Sequence, residues 1–262
     1  MRKPILTLTT DFGLSDHYVG AMKGVILGIC PQAHIVDISH EIAPFAISEG
    51  AFTVAQAYRC FPKSTANVVV VDPGVGSARR PILVEAAGQY FVAPDNGVLG
   101  LVLAEQQHKV RLIANERYFR KPVSQTFHGR DIFAPVGAQL ALGVRPVKFG
   151  KVIHDPIRLD FEKPRPNGRR SWVGRILKVD RFGNCITNFH EREFGELVQK
   201  GFTLAIGMTE IERLARTYAE AKPGDLCVIA GSSGYLEVSV NQGSAARQMG
   251  CQTGSLAELT VW

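Results

Sequence analysis

ANVVVVD, residues 66–72, sets four valines in a row and ends them on an aspartate. A strand with one face in water alternates apolar and polar residues; a run without alternation reads as a strand buried on both faces. Such strands sit in parallel sheets covered by helices, so this stretch predicts an α/β fold. The flanking sequence agrees. ILTLTT (5–10) and HIVDIS (34–39) read as strands, and ILVEAAGQYFVAPD (82–95) as a hairpin. Between them, HYVGAMKGVILGICP (17–31) and ISEGAFTVAQAYRCFP (47–62) carry apolar residues at helical spacing and stop at proline. GVLGLVLAEQQ (97–107) and DIFAPVGAQLALG (131–143) read as helices, the second with an early proline. The β-α-β-α order gives a mostly parallel sheet with helices on both faces.

The texture changes at HDPIRLDFEKPRPNGRRS (154–171), three prolines among many charges, which reads as a linker. Short strand-like pieces follow: WVGRILKVD, CITNF, FTLAIG, LCVIAG, YLEVSV and SLAELTVW. Separated by turn residues, they predict a small antiparallel barrel or sandwich, taken here as a β-barrel. The expected boundary lies near residue 165, giving an α/β domain over 1–165 and a β-barrel domain over 166–262.

The 262 residues suffice for two such cores. No apolar run is long enough for a membrane span, so no membrane partner is expected. The N-terminus reads directly into a strand rather than as a signal peptide. Five cysteines (30, 60, 185, 227 and 251), scattered and without a CxxC pair, fit a reduced, cytoplasmic protein. The net charge of +6 draws much of its excess from Arg158–Arg181. No aromatic residues interleave with that charge as a nucleic-acid surface would have them, so it reads as a solvated linker.

Ligands of parallel α/β sheets bind beyond the carboxyl ends of the strands. Asp11 ends the first strand and Asp72 the valine run, so both point to one edge. Pro73, Gly74 and Gly76 let the following backbone turn sharply. GVGSARR lacks both GxxxxGK[ST] and GxGxxG, which withholds support from a nucleoside triphosphate site. His128, in TFHGRDIFAP (126–135), stands beside a glycine that would let a ligand approach its ring. Asp72, Arg79 and His128 together would make a base set near neutral pH. In the second half, Asp180, Asn184, Ser232 and Asn241 lie at the edges of strand-like runs, and Phe182 offers a flat face. Taken alone, each also fits a turn. The residues by themselves leave open a metal-dependent phosphoesterase using Asp11, Asp72 and His128, and a non-enzymatic adenosine- or nucleic-acid-binding module.

The motifs TTDFG, DPGVGS with RR two residues on, PDNG, FHGRDIFAP, DRFGNCITN and SSGYLEVSVNQGSAA stand in order over nearly the whole chain. In this order the chain resembles the S-adenosyl-L-methionine hydroxide adenosyltransferases, relatives of the fluorinating and chlorinating enzymes. The resemblance implies hydrolysis of S-adenosyl-L-methionine at C5′ to adenosine and L-methionine, with no cofactor and no metal. It implies a homotrimer whose sites lie between subunits. It places Asp72, Arg79 and His128 on the water-activating triad and Asp11 on the ribose diol. Asn184, with the backbone around Val240 and Asn241, falls on the adenine contacts; Asp180 and Ser232 fall on the methionine ammonium and carboxylate. Phe45, Phe127 and Phe182 match wall positions, and Glu237 lies in the matched motif. In the halogenating relatives the position of Asp72 is a tyrosine and the histidine is changed, so this chain is expected to use water. Its expected partners are this small substrate and its own copies, without nucleic acid.

Overall fold

The valine run is buried on both sides, as its lack of alternation requires. In a computed structural model, which describes residues 3–159 and 163–262, it forms β3 (Ala66–Val70), with Val68 to Val71 no more than 2% exposed. Val68 and Val70 face one core, with Leu6, Leu8, Met22 and Val136. Val69 and Val71 face another, with Val54, Val84, Phe91 and Leu103. Each valine taken fully out of water contributes about 1.5–3 kcal/mol.

Around β3 run β1 (Ile5–Thr10), α1 (Tyr18–Ile29), β2 (His34–Ser39), α2 (Ile47–Ala57), β4 (Pro81–Ala86), β5 (Gln89–Pro94), α3 (Gly100–Glu105), β6 (His108–Leu112), α4 (Ala134–Ala141) and β7 (Val152–Ile153). The sheet order is β2-β1-β3-β5-β4-β6-β7. The strands β2, β1, β3 and β5 are parallel. Helices α1 and α4 contribute to the first core and α2 and α3 to the second, so both faces are covered. The expected hairpin, β4–β5, reverses direction and starts an antiparallel extension through β6 and β7. A buried amide, Asn67, lies inside the parallel part. It accepts from Thr7 Oγ1 (2.7 Å) and donates to Gln89 Oε1 (2.9 Å), so no buried amide is left unpaired.

The chain divides into two compact units, residues 1–161 and 162–262. Residues 160–162 of the expected linker lie outside the described residues. The second unit contains β8 (Arg165–Pro166), β9 (Ser171–Val179), β10 (Cys185–His190), α5 (Glu191–Val198), β11 (Phe202–Ile206), β12 (Thr209–Ile211), β13 (Leu214–Ala215), β14 (Leu226–Ala230), β15 (Tyr235–Val240), α6 (Ala245–Met249) and β16 (Leu256–Val261). Its strand path, β12-β11-β16-β9-β10-β15-β14-β13, is almost wholly antiparallel. It curls around one core that includes Ile176, Phe189, Phe202, Leu204, Val238 and Leu259, the half-barrel form of the expected barrel. The sequence reading passed over α5 and α6. Helix α5 buries Phe194 and Val198, four residues apart, and is capped at His190. Helix α6 starts at the Ser244 cap and ends at Gly250, whose φ is 62°.

Candidate active site

Parallel pairing of β1 with β3 sets Thr10 opposite Val70. Asp11 and Asp72 therefore leave the sheet at the same edge, as their positions in sequence required. Past Asp72 the chain turns through residues 72–77, where the Val75 N–H donates to Asp72 O (3.2 Å) and Ser77 Oγ to Gly74 O (2.7 Å). Gly76 is needed in this turn: its φ is +76°, and a Cβ there would lie 2.3 Å from Gln125 O. The turn thus packs directly on the segment that leads to His128.

Arg79 is the centre of this group. Its Nε donates to both carboxylate oxygens of Asp72 (2.9 Å each) and its Nη2 to Asp72 Oδ2 (2.5 Å). Nη2 also lies 2.7 Å from His128 Nδ1. The Asp72 and Arg79 side chains are 4% and 8% exposed, and the guanidinium lies over the Phe133 ring at 5.2 Å. Arginine has no acceptor, so His128 Nδ1 must accept this bond. The neutral ring then carries its proton on Nε2. Burial, and next the Arg79 cation, lower the His128 pKa from its ordinary value. With Nδ1 taken by Arg79, the ring offers Nε2–H as a donor on its other side.

Three residues past His128 a second charged group is buried. Asp131, wholly buried, accepts from Arg120 Nη1 (3.2 Å), Arg130 Nε (2.7 Å) and the Ser124 N–H (2.9 Å). Burial opposes its ionisation, but the bonds from Arg130 and Ser124 outweigh it and keep the carboxyl below its usual range. Arg130 also covers the Phe127 ring at 4.9 Å. Phe127, expected as a wall residue, is 7% exposed and packs edge-on to Tyr18 and Phe12. Of the two adjacent arginines only Arg79 joins this group; Arg80 ties Asp95 to Asp155.

Asp11 Oδ2 accepts the Phe45 N–H at 3.0 Å. Burial raises the Asp11 pKa, the Phe45 bond opposes the rise, and the charge of Asp72 adds to it. Phe45 is 70% exposed and has a φ of 67°, a strained conformation for a bulky residue.

The second unit holds the other expected residues. A cavity of about 750 Å³ is lined by Asp180, Phe182, Asn184, Ser232, Glu237 and Val240, all singled out from sequence. Phe182 is 78% exposed. Asp180 organises the turn: Oδ1 accepts from the N–H groups of Phe182 and Asn184, and Oδ2 from Asn184 Nδ2, each at 2.9 Å. Gly183 closes the turn at φ +88°, where a Cβ would meet Ser244 at 2.0 Å. Asn241 does not line the cavity. Its side chain donates to Ala221 O (2.6 Å), and its neighbours Gln242 and Gly243 take the lining positions. The sequence reading missed Tyr218, which lines the cavity and donates from its hydroxyl to buried Glu237 (2.7 Å). That bond, then burial, pushes the Tyr218 pKa up to about 12. Asp180 and Glu237 are carboxylates, and no lysine or arginine lines the cavity, so it favours a cationic ligand.

Among the described residues, no three His, Cys, Asp or Glu are grouped to hold a metal, and no helix is long and apolar enough to cross a membrane. None of the five cysteines is in a disulfide.

Comparison with known proteins adds the relationship. Residues 6–150 match the SAM hydroxide adenosyltransferase N-terminal domain and residues 174–258 the C-terminal domain. The chain is 38% identical over 254 residues to a protein of Methanocaldococcus jannaschii named (R)-S-adenosyl-L-methionine hydrolase, covering 93% of this chain and 90% of that one. It is 28% identical to a fluorinase of an Actinoplanes species, covering 98% and 97% of the two chains. A crystal structure of an uncharacterized conserved protein from Thermotoga maritima superposes with a TM-score of 0.92 at 38% identity, over 98% of this chain and 99% of that one. Matched by both domain models, and carrying the Asp72–Arg79–His128 cluster at the sheet edge, the chain belongs to the SAM hydroxide adenosyltransferase family.

Proposed function

We propose that the chain hydrolyses S-adenosyl-L-methionine at C5′, giving adenosine and L-methionine, and that its substrate is the (R) epimer at sulfur named for its relatives. The observation that carries this reading is Arg79 clamped between Asp72 and His128. In a metal-dependent phosphoesterase, Asp72 and His128 would face a metal; here they face a guanidinium. The carboxylates lining the cavity of the second unit suit a sulfonium and an ammonium, and would repel the phosphates of a nucleotide or nucleic acid.

The leaving methionine sulfur departs as a neutral thioether and needs no general acid. Only an oxygen nucleophile must be delivered in line with the C5′–S bond. With Asp72 and His128 Nδ1 both occupied by Arg79, the three residues form a cradle for hydroxide whose proton has already gone to solvent. His128 Nε2–H donates to the hydroxide oxygen, and Arg79, held in place by Asp72, supplies positive charge. Hydroxide attacks C5′ as the sulfonium bond breaks, and the two charges cancel. Fixing the partners in this geometry supplies about 7–11 kcal/mol in the best intramolecular comparisons.

Asp11 accepts from the ribose hydroxyls. Asn184 and the backbone near Val240 and Asn241 contact adenine, while Asp180 and Ser232 hold the amino acid. Phe45, Phe182 and Tyr218 form walls, and Glu237 supplies negative charge. The two groups of residues meet between subunits of a homotrimer, as the family resemblance implies. Incubation of the purified protein with each sulfonium epimer tests the function: adenosine and methionine form from the (R) epimer, and hydrolysis of neither epimer would reject it.

The geometry of the Asp180 turn changes what its loss should do. Asp180→Ala frees Asn184 as well as the ammonium, so affinity falls for adenosine alone and not only for the complete substrate. Calorimetry with both ligands checks this; an unchanged adenosine affinity would return Asp180 to a contact with the amino acid only.

The His128 shift fixes the sign of a pH effect. Its folded pKa is lowered, so the neutral ring that accepts from Arg79 persists below 6.5, the ordinary value, and is lost on further acidification. An acid-side inflection in kcat/KM is therefore expected below pH 6.5 and should vanish in His128→Gln. An inflection at or above 6.5 would contradict the assignment.

A further inference from the structure

The turn that carries Asp11 is gripped at both ends by one buried histidine outside the reacting cluster. Thr10, fully buried, sits immediately before Asp11, and its hydroxyl lies 2.8 Å from His40 Nδ1. On the other side of Asp11, the Gly13 N–H donates to His40 O at 2.8 Å. The Phe12 N–H reaches back to Thr10 Oγ1 at 3.3 Å, so the same hydroxyl ties the middle of the turn. His40 is 4% exposed. Its Nε2 faces Asp37 Oδ1 at 3.1 Å. The other Asp37 oxygen takes Lys23 Nζ at 2.5 Å. The ring is thereby fixed between a neutral hydroxyl on one side and an ion pair on the other.

We propose that His40 is a positioning residue for Asp11, setting the direction of its carboxylate toward the ribose hydroxyls. This rests on the reading of Asp11 as the ribose contact. The Asp11 carboxyl is held by backbone alone: one oxygen accepts the Phe45 N–H, from a residue in a strained and exposed conformation, and the group also accepts its own N–H. The angle of the carboxylate therefore depends on the backbone from Thr10 to Gly13, which His40 holds. A buried polar relay of this kind works as a unit, because each member's geometry depends on the next. His40 bonds to Thr10, Gly13 and Asp37 rather than to Asp72 or His128, so its removal should act on ribose recognition and not on the nucleophile.

The test is calorimetric titration of the full chain with adenosine and with 2′-deoxyadenosine. The unsubstituted protein should prefer adenosine by about 10–100-fold, the range of a hydrogen bond to a charged acceptor. In His40→Ala the preference should shrink to less than about 3-fold, because a misdirected carboxylate no longer distinguishes the two sugars. Thr10→Val keeps the side chain's shape, removes only the hydroxyl, and should shrink the preference likewise. His40→Asn, whose amide reaches the position of Nδ1, should restore most of it. Thermal melting shows that each variant is folded. A preference unchanged in folded His40→Ala and Thr10→Val overturns the proposal, as does an equal loss of affinity for both nucleosides. A native chain that does not prefer adenosine, or binds neither nucleoside, overturns it as well. The hydrolysis reading fails separately, by absence of adenosine formation from the sulfonium substrate.

Discussion

His128→Ala lowers turnover by about 10²–10³-fold, the cost of removing one preorganised donor from a developing or bound oxyanion. Substrate affinity changes little, because adenine, ribose and amino acid are held by other residues. His128→Gln separates two roles for the ring. Glutamine presents an N–H close to where Nε2–H stood, but it cannot act as a base near neutral pH. If His128 donates to hydroxide, as its Nδ1 bond to Arg79 requires, His128→Gln recovers much of the rate lost in His128→Ala. Equal inactivity of the two variants, in single-turnover measurements at saturating substrate, would restore the general-base reading and contradict the tautomer assigned here. The comparison holds even though Arg79 loses a partner in both, since its pairing with Asp72 remains.

The second large effect is a return of activity on mixing two inactive proteins. Asp72→Ala unseats Arg79, which otherwise makes three bonds to that carboxylate. Asp180→Ala opens the turn that fixes Asn184. The lesions lie in different units of the chain. In the proposed homotrimer each site takes one group from each of two neighbouring subunits, a head-to-tail arrangement that closes into a ring. After even subunit exchange, about one quarter of the sites combine two intact halves, the product of two even chances. Activity should return to about that fraction of the native level. Exchange verified by mass labelling, with no activity returned, would place both groups of one site in a single chain. A fully active monomer in light scattering would do the same.

Much of this was legible in the sequence, and the reasons differ by element. The valines of β3 announced a doubly covered strand because each neighbour faces a different core. Asp11 and Asp72 could be placed on one edge because parallel strands share a direction. Strand β6, HKVRL, could not be read as the bridge to an antiparallel extension: only Val110 of its five residues is buried, which is too little alternation to read. The eight- and five-residue helices α5 and α6 are too short for a clear periodicity, although Ser244 and Gly250 were usable cap signals. The pairing of Arg79 with His128, 49 residues apart, has no local signature; it follows from the Gly76 turn packing on Gln125. That Phe127 packs its ring into the core had no local signature either; it follows from the neighbouring Phe12 and Tyr18 rings. Tyr218 lies in a short turn segment between β13 and β14, and only its bond to Glu237, 19 residues on, reveals its place in the cavity.

The central claim is that an oxygen from water becomes bonded to C5′. Incubating the native protein with (R)-S-adenosyl-L-methionine in ¹⁸O-water, followed by mass spectrometry of the products, tests it directly. One ¹⁸O in the 5′-hydroxyl of adenosine, with unlabelled methionine, is the expected result. Adenosine without the label, or no adenosine at all, would contradict it.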